Sequence, residues 1–584
     1  MGVRHLESFI TQTVPNGCYR INIENEICRY HDSQWRRNAP GPTIVIDLMS
    51  LYSPIGDTNV AGSMCGGRYT LVYQQLDRFF AKLRAIGATL VFFCDGVVQE
   101  EKYVTWNERQ KRKYEDTIRI LDAVDEGISL DTLINLFHRD FPGNWLYPVK
   151  EVAKKHGRVV TSIANECDKE LVQYANSVNA LAIISNDTDF LIYEGFWQYW
   201  SCKDMNFETL TTKAYNRVGL VRHLGLEFRQ MPLLATLAGN DVIHYDEVKQ
   251  FHRTLGSPRT KFNDLARFVD QQQISARTHE VDLRKLVFHV FGEEDDELFQ
   301  RFQKSLDLYD LDKWNPIQTV KHDQTVNLLL TLSSKFMYQI YMGHPFEMTG
   351  FVTDLREHQV GWRYPQLAIR LEQRKVGIIL YHRENSTLMR LVTKLSHDED
   401  YTLHVFNAEF PQNIRVPPLL DLLSKQPDIQ ASLYETKLAL LCWIASDTLN
   451  SHQLAPTPYI LHPTLLTLYF LLESRVLHLF EADLLLQIAF DVAFERCDLL
   501  RVQYPRGEFN PRAFRIAFLY PKMYNHLAKA VRDVGLDGPD YREHPQFDGV
   551  LFHARYEEWA QGKGRLDGIH QWRIYAHLGG ESEL

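Results

Sequence analysis

The sequence predicts an α/β fold, a parallel sheet flanked by helices, followed by a mainly helical C-terminal region. Two observations carry the first half of that prediction. Short β-rich runs alternate with amphipathic stretches, and those runs end in or beside a carboxylate. A third carries the second half: from residue 417 onward the apolar spacing is that of helices. At 584 residues the chain is longer than one core organises, roughly 250 to 300 residues. We expect an α/β domain over 1–275, a mixed, mainly helical region over 276–410 and a helical domain over 411–584, the first boundary falling in the polar stretch 271–278.

Four strands are expected in the first part, at 43–48, 88–94, 158–163 and 180–185. Runs such as Ile44-Val45-Ile46 and Leu90-Val91-Phe92-Phe93 are apolar, β-branched or aromatic, and too short for a helix. Between them, residues 69–85 space Leu71, Val72, Leu76, Phe79, Phe80 and Leu83 for one buried helical face. Residues 210–239 read as mostly helical. The pattern is helical from 281 to about 340, mixed with a few strands over 351–406, and helical again at 437–445 and 465–493.

Composition narrows the function classes. With 45% hydrophobic and 24% charged residues the chain is neither disordered nor fibrous. A net charge of −10 provides no global field for nucleic acid, so such binding needs a local basic face. The eight cysteines form no C-x-x-C pair, which argues against a zinc ribbon or a disulfide framework and for reduced thiols. Position 6 is Leu rather than the Ser or Thr that N-myristoylation prefers. The stretch 450–472, free of Asp, Glu, Lys and Arg, holds Pro456, Pro458 and Pro463, so no membrane partner is expected.

The acids are the informative feature. Asp47 ends one apolar run and Asp95 the next. Glu166 and Asp168 open a helical pattern, Asp187 and Asp189 follow Ile183-Ile184-Ser185-Asn186, and Asp241 follows Gly239-Asn240. Ligands of open α/β sheets bind beyond the carboxyl ends of the strands, so acids placed there can converge. Crowded carboxylates raise one another's pKa unless cations balance them. Hard oxygen donors suit Mg²⁺ or Mn²⁺, and a two-ion site of this kind hydrolyses phosphodiesters. Asp at strand ends also caps helices and builds turns, which suffices for any single one of these residues. Two i,i+2 pairs and three terminal acids in succession are hard to produce by capping alone.

Several motifs carry a resemblance. Met1-Gly2-Val3-Arg4-His5-Leu6, the run into Asp47, Phe93-Cys94-Asp95-Gly96, the Glu166/Asp168 pair, Asn186-Asp187-Thr188-Asp189-Phe190-Leu191 and Gly239-Asn240-Asp241 resemble the flap endonuclease and xeroderma pigmentosum group G superfamily, which has a PIN-like fold. With Cys65-Gly66-Gly67 and Pro232-Leu233-Leu234 added, about the first 270 residues are more similar still to the constitutive coactivator of PPAR-gamma family, relatives of the protein asteroid. The resemblance implies that Asp47, Asp95, Glu166 and Asp168 hold a first metal ion and Asp187, Asp189 and Asp241 a second. It implies that Lys102 and Arg109 meet the scissile phosphate. It further implies a nuclear regulator, present in the cytoplasm or not, that binds single-stranded or branched DNA or RNA and protein partners such as nuclear receptors. The alternative is an active Mg/Mn-dependent nuclease. Two departures stand out: His5 replaces a common Gly, and no Gly-rich hairpin follows Asp241.

Weaker signals have ordinary explanations. Leu419-Leu420-Asp421-Leu422-Leu423 and Leu468-Tyr469-Phe470-Leu471-Leu472 fit the L-x-x-L-L docking pattern, which any leucine-rich core helix also fits. The basic run Lys111-Arg112-Lys113 reads equally as a solvated helix face.

Overall fold

The computed structural model describes residues 2–33, 41–98, 102–137, 145–163, 166–257, 260–272, 280–293, 295–312, 323–349, 353–356, 361–383, 387–538 and 541–578. It contains two compact units that interleave along the chain. The first comprises Met1–Pro54, Gln75–Trp106 and Ala153–Val320; the second comprises Ile55–Gln74, Asn107–Val152 and Lys321–Leu584. These units cut across the sequence-order division at 275 and 410. Of the stretch expected to carry the first boundary, 271–278, residues 273–278 lie outside the described residues.

The first unit is built on a seven-stranded sheet: β1 Cys18–Asn22, β2 Thr43–Asp47, β3 Thr89–Cys94, β4 Arg158–Thr161, β5 Ala182–Ser185, β6 Gln198–Ser201 and β7 Thr211–Tyr215. The spatial order is β1-β7-β6-β5-β2-β3-β4. Strands β2 to β6 run parallel, and β7 and β1 close one edge antiparallel. Ile44, Val45 and Ile46 of β2 are fully buried, as both faces of a parallel sheet require. The chain steps from β2 to β3 to β4 and then returns to the other side of β2 with β5. The crevice at that reversal, beyond the carboxyl ends of β2 and β5, is where such sheets take ligands. This is the α/β fold class the sequence predicts, a largely parallel sheet flanked by helices.

Three strands escape the sequence reading. β1 lies at the sheet edge and alternates only weakly. β6 is a four-residue run. Residues 211–215, expected to be helical, form β7 because Thr211, Thr212 and Tyr215 favour extended backbone and pair with β1. The turn before them is explicit: Asn206 Oδ1 accepts hydrogen bonds from the Glu208 and Thr209 amides, and Leu210 takes φ +52°.

The second unit is mainly helical, with a small sheet of β8 Phe346–Glu347, β9 Leu388–Thr393 and β10 Thr402–Asn407 in the order β10-β9-β8. One of its cores joins Met64, Ile120, Leu121 and Leu133 from early in the chain to Phe509, Phe514 and Val550 from its end. The helix expected over 465–493 is two, His462–Glu473 and Leu479–Ala493, broken at Arg475 with φ +57°. Leu468, Leu471 and Leu472 are buried, so the second L-x-x-L-L segment is core; in the first, Leu422 and Leu423 are buried and Leu419 is half-buried. Among the described residues no helix is long and apolar enough to cross a membrane. All eight cysteines are free thiols.

His462 makes this unit sensitive to acid. Burial pushes its pKa down from 6.5 to about 4, although the Thr457 carbonyl, 3.3 Å from Nε2, favours the charged ring. A group with a depressed folded pKa adds stability above its unfolded pKa, and that stability is lost as pH falls through the window from 6.5 to about 4. Bringing the protein to about pH 4.5 should cost roughly 2 to 3 kcal/mol through this residue. His462→Gln should show that much less acid destabilisation in paired denaturation curves; an identical pH dependence would disprove the assignment.

Candidate metal centre

The acids sit where the strands deliver them. Asp47 is the last residue of β2, Asp95 follows the last residue of β3, and Asp187 lies two residues beyond β5. Glu166 is the N-cap of the helix Cys167–Ser177, its Oε2 accepting from the Lys169 amide at 2.8 Å, and Asp168 lies in that helix's first turn. There the helix dipole favours negative charge. Asp187 caps the 3-10 turn Thr188–Leu191 by accepting from the Asp189 amide at 3.0 Å. Asp241 follows the helix Met231–Ala238, at a turn where Asn240 Oδ1 accepts from the Val242 and Ile243 amides. Gly239 there takes φ +92°, and a Cβ would stand 2.7 Å from Tyr245 Cα.

One carboxylate oxygen each from Asp168, Asp187 and Asp189 lie within 4.8 Å of one another. Asp47, Glu166 and Asp241 act on this group electrostatically, and Asp95 acts on Asp47. Asp47 is pushed up to about 6, first by burial and then by the charge of Asp95, against hydrogen bonds from Ser50, Ser185 and the Met49 amide. Asp168 is held well above the usual carboxylate range by burial and by repulsion from Glu166 and Asp187. Asp189 is raised by burial and by Asp187 and Asp241. Such mutual elevation is the signature of a cluster that lacks enough positive charge.

Lys102 supplies part of it. Its Nζ donates to Glu166 Oε1 at 2.6 Å. Burial opposes the ammonium, but Glu166, Asp168 and Asp241 hold its pKa well above the ordinary value. Arg109 lies seven residues on, in the helix Tyr103–Asp125, at a point belonging to the second unit. Lys111 and Arg112 are exposed and reach Asp400 and Glu108 at 3.6 and 3.7 Å, as a solvated face does.

The structure adds residues that sequence spacing does not reveal. Ser50 and Ser185 both donate to Asp47 Oδ2, the latter at 2.8 Å. Tyr309 donates its hydroxyl to Asp189 Oδ1 at 2.8 Å from 120 residues away. Gly2, with φ +69°, packs so closely that a Cβ would overlap Asp187 Oδ1 and stand 2.7 Å from Asp189 Oδ1. His5 takes φ +70°, a conformation that favours glycine, and its ring meets Tyr245 edge-on at 6.4 Å. We expect Gly2→Ala to weaken any Mg²⁺-induced rise in melting temperature by displacing Asp187 and Asp189. An undiminished rise would show that the carboxylates tolerate the added methyl.

Comparison with known proteins follows this geometry. Over 257 residues the chain is 30% identical to the constitutive coactivator of peroxisome proliferator-activated receptor gamma of Bos taurus, covering 42% of this chain and 33% of that protein. The Homo sapiens protein of the same name is also 30% identical over 257 residues, covering 42% of this chain and 26% of its own length. The chain resembles these coactivators. It spans about a third of their length or less. A family profile described as FAM120A-like domain matches residues 224–313 of this chain. Among solved structures, the catalytic core of Rad2 in complex with DNA substrate is 16% identical with TM-score 0.28, covering 66% of this chain and 100% of that one. Human GEN1 in complex with Holliday junction DNA is 14% identical with TM-score 0.30, covering 74% and 95%.

Proposed function

We propose that this protein is a nuclear regulator whose nuclease-type unit holds divalent cations and binds nucleic acid. The observation that carries this reading is the convergence of Asp168, Asp187 and Asp189 beside Lys102, at the edge where the sheet reverses. The donor set suits Mg²⁺ or Mn²⁺: hard oxygens, with Asp168 and Asp189 raised in pKa by burial and then by their neighbours' charge. Asp47, Asp95, Glu166 and Asp168 would hold one ion and Asp187, Asp189 and Asp241 the other. When bound, such ions neutralise phosphate charge and, in a nuclease, activate water and stabilise the leaving oxygen.

The chain's own groups prepare the site. Ser50, Ser185 and the Met49 amide orient Asp47; Tyr309 orients Asp189; the helix terminus orients Glu166. Lys102 is an ammonium that its carboxylate neighbours hold charged, and it would be able to meet a backbone phosphate if cations took over those carboxylates. The similarity to proteins named as constitutive coactivators supports regulation, with protein partners in the nucleus, as the role. The retention of all seven acids favours a second reading, an active nuclease.

The deciding experiment is incubation of labelled single-stranded, hairpin and flap DNA and RNA with the protein in Mn²⁺, alongside the Asp187→Asn, Asp189→Asn variant. The regulator reading expects metal-dependent binding without cleavage. Cutting by the wild type alone would establish the nuclease, and absence of both binding and cutting would remove nucleic acid from the proposal.

A further inference from the structure

The first unit also contains a cleft of about 980 Å³ that the carboxylate site does not use. We propose that this cleft docks a cationic segment of a partner protein that carries an apolar anchor. Its floor is apolar, with Leu233, Leu283 and Leu306. Its rim is acidic, with Glu194, Asp307, Asp310 and Asp312. Among the described lining residues the one cation, Arg229, is already paired with Glu227 at 2.6 Å. Phe196, also on the lining, is 106% exposed, so its ring stands clear of the protein.

Each feature selects the occupant. An aromatic ring held fully in water beside an apolar hollow is the arrangement of an interface anchor, and a small ligand confined to the floor would leave it exposed. A nucleic-acid strand is repelled by four rim carboxylates. A second copy of this chain, at net charge −10, meets the same repulsion. A lysine- or arginine-bearing segment gains at the rim and buries its apolar residues against Phe196 and the floor. The wall from Leu306 to Asp312 falls within the region 224–313 that matches the FAM120A-like domain. The cleft therefore belongs in part to the stretch shared with that family.

The probe is a fluorescein-labelled peptide of alternating lysine and leucine with one tryptophan, compared with its glutamate-for-lysine counterpart by anisotropy on the full-length protein. Tyr309 lines the cleft but also holds Asp189, so the variants are kept to the rim: Phe196→Ser, and Asp310→Lys with Asp312→Lys. The basic peptide should bind, lose affinity with added salt, and bind each variant roughly tenfold more weakly, while the acidic peptide does not bind. Unchanged melting temperatures for the variants show that folding is not the cause. No binding by the wild type, or equal binding by wild type and variants, would overturn the proposal. So would a single-stranded oligonucleotide that displaces the peptide and is itself lost on the same substitutions.

Discussion

The Asp187→Asn, Asp189→Asn variant melts at a higher temperature than wild type in the absence of divalent cations and gains nothing when Mg²⁺ or Mn²⁺ is added. Both halves follow from one cluster. In wild type, Asp189 is forced above the usual carboxylate range by burial, Asp187 and Asp241, so its charge opposes folding. Removing two of the charges relieves that repulsion. The same substitution removes two of the three carboxylates that lie within 4.8 Å of one another, and with them the oxygens a cation would bind. At a metal concentration about 100 times the dissociation constant, wild type gains about 2.7 kcal/mol. Differential scanning calorimetry with and without metal reads the difference. An equal metal shift in both proteins would mean the cations bind elsewhere.

Lys102→Met acts in the opposite direction. It leaves Glu166, Asp168 and Asp241 without the ammonium that balances them. Stripping one partner from a buried pair costs about 3 to 5 kcal/mol. Partial solvent access, 23% for the Lys102 side chain, places this pair at the low end of that range or below it. Because a bound cation does the same neutralising work, Mn²⁺ should stabilise this variant more than it stabilises wild type. The crossed pattern separates a charge-balancing lysine from one that merely packs: a packing role predicts destabilisation that metal does not relieve.

Much of the candidate site was readable because its residues lie at element ends. Asp47, Asp95 and Asp187 follow apolar runs whose length and composition mark strands, and Glu166 stands where a cap is needed. The supporting residues were not readable for a related reason. Tyr309 and Asp189 are 120 positions apart, and nothing in either neighbourhood signals the other. Ser50 and Ser185 meet at Asp47 only because β5 pairs beside β2. Among the strands, β7 is hidden by the helical pattern that directly follows it and forms the helix Arg217–Leu224, and only pairing with β1 makes 211–215 extended.

The places of β2 to β5 and of the seven acids along the chain were determined by the sequence alone, because apolar period and helix capping are local properties of consecutive residues. Only the tertiary structure decided which acids crowd closely enough to shift one another's pKa, that Lys102 balances them, and that residues 55–74 and 107–152 fold with the C-terminal half. Those outcomes depend on packing between distant segments, and burial converts such packing into charge repulsion that no local pattern records.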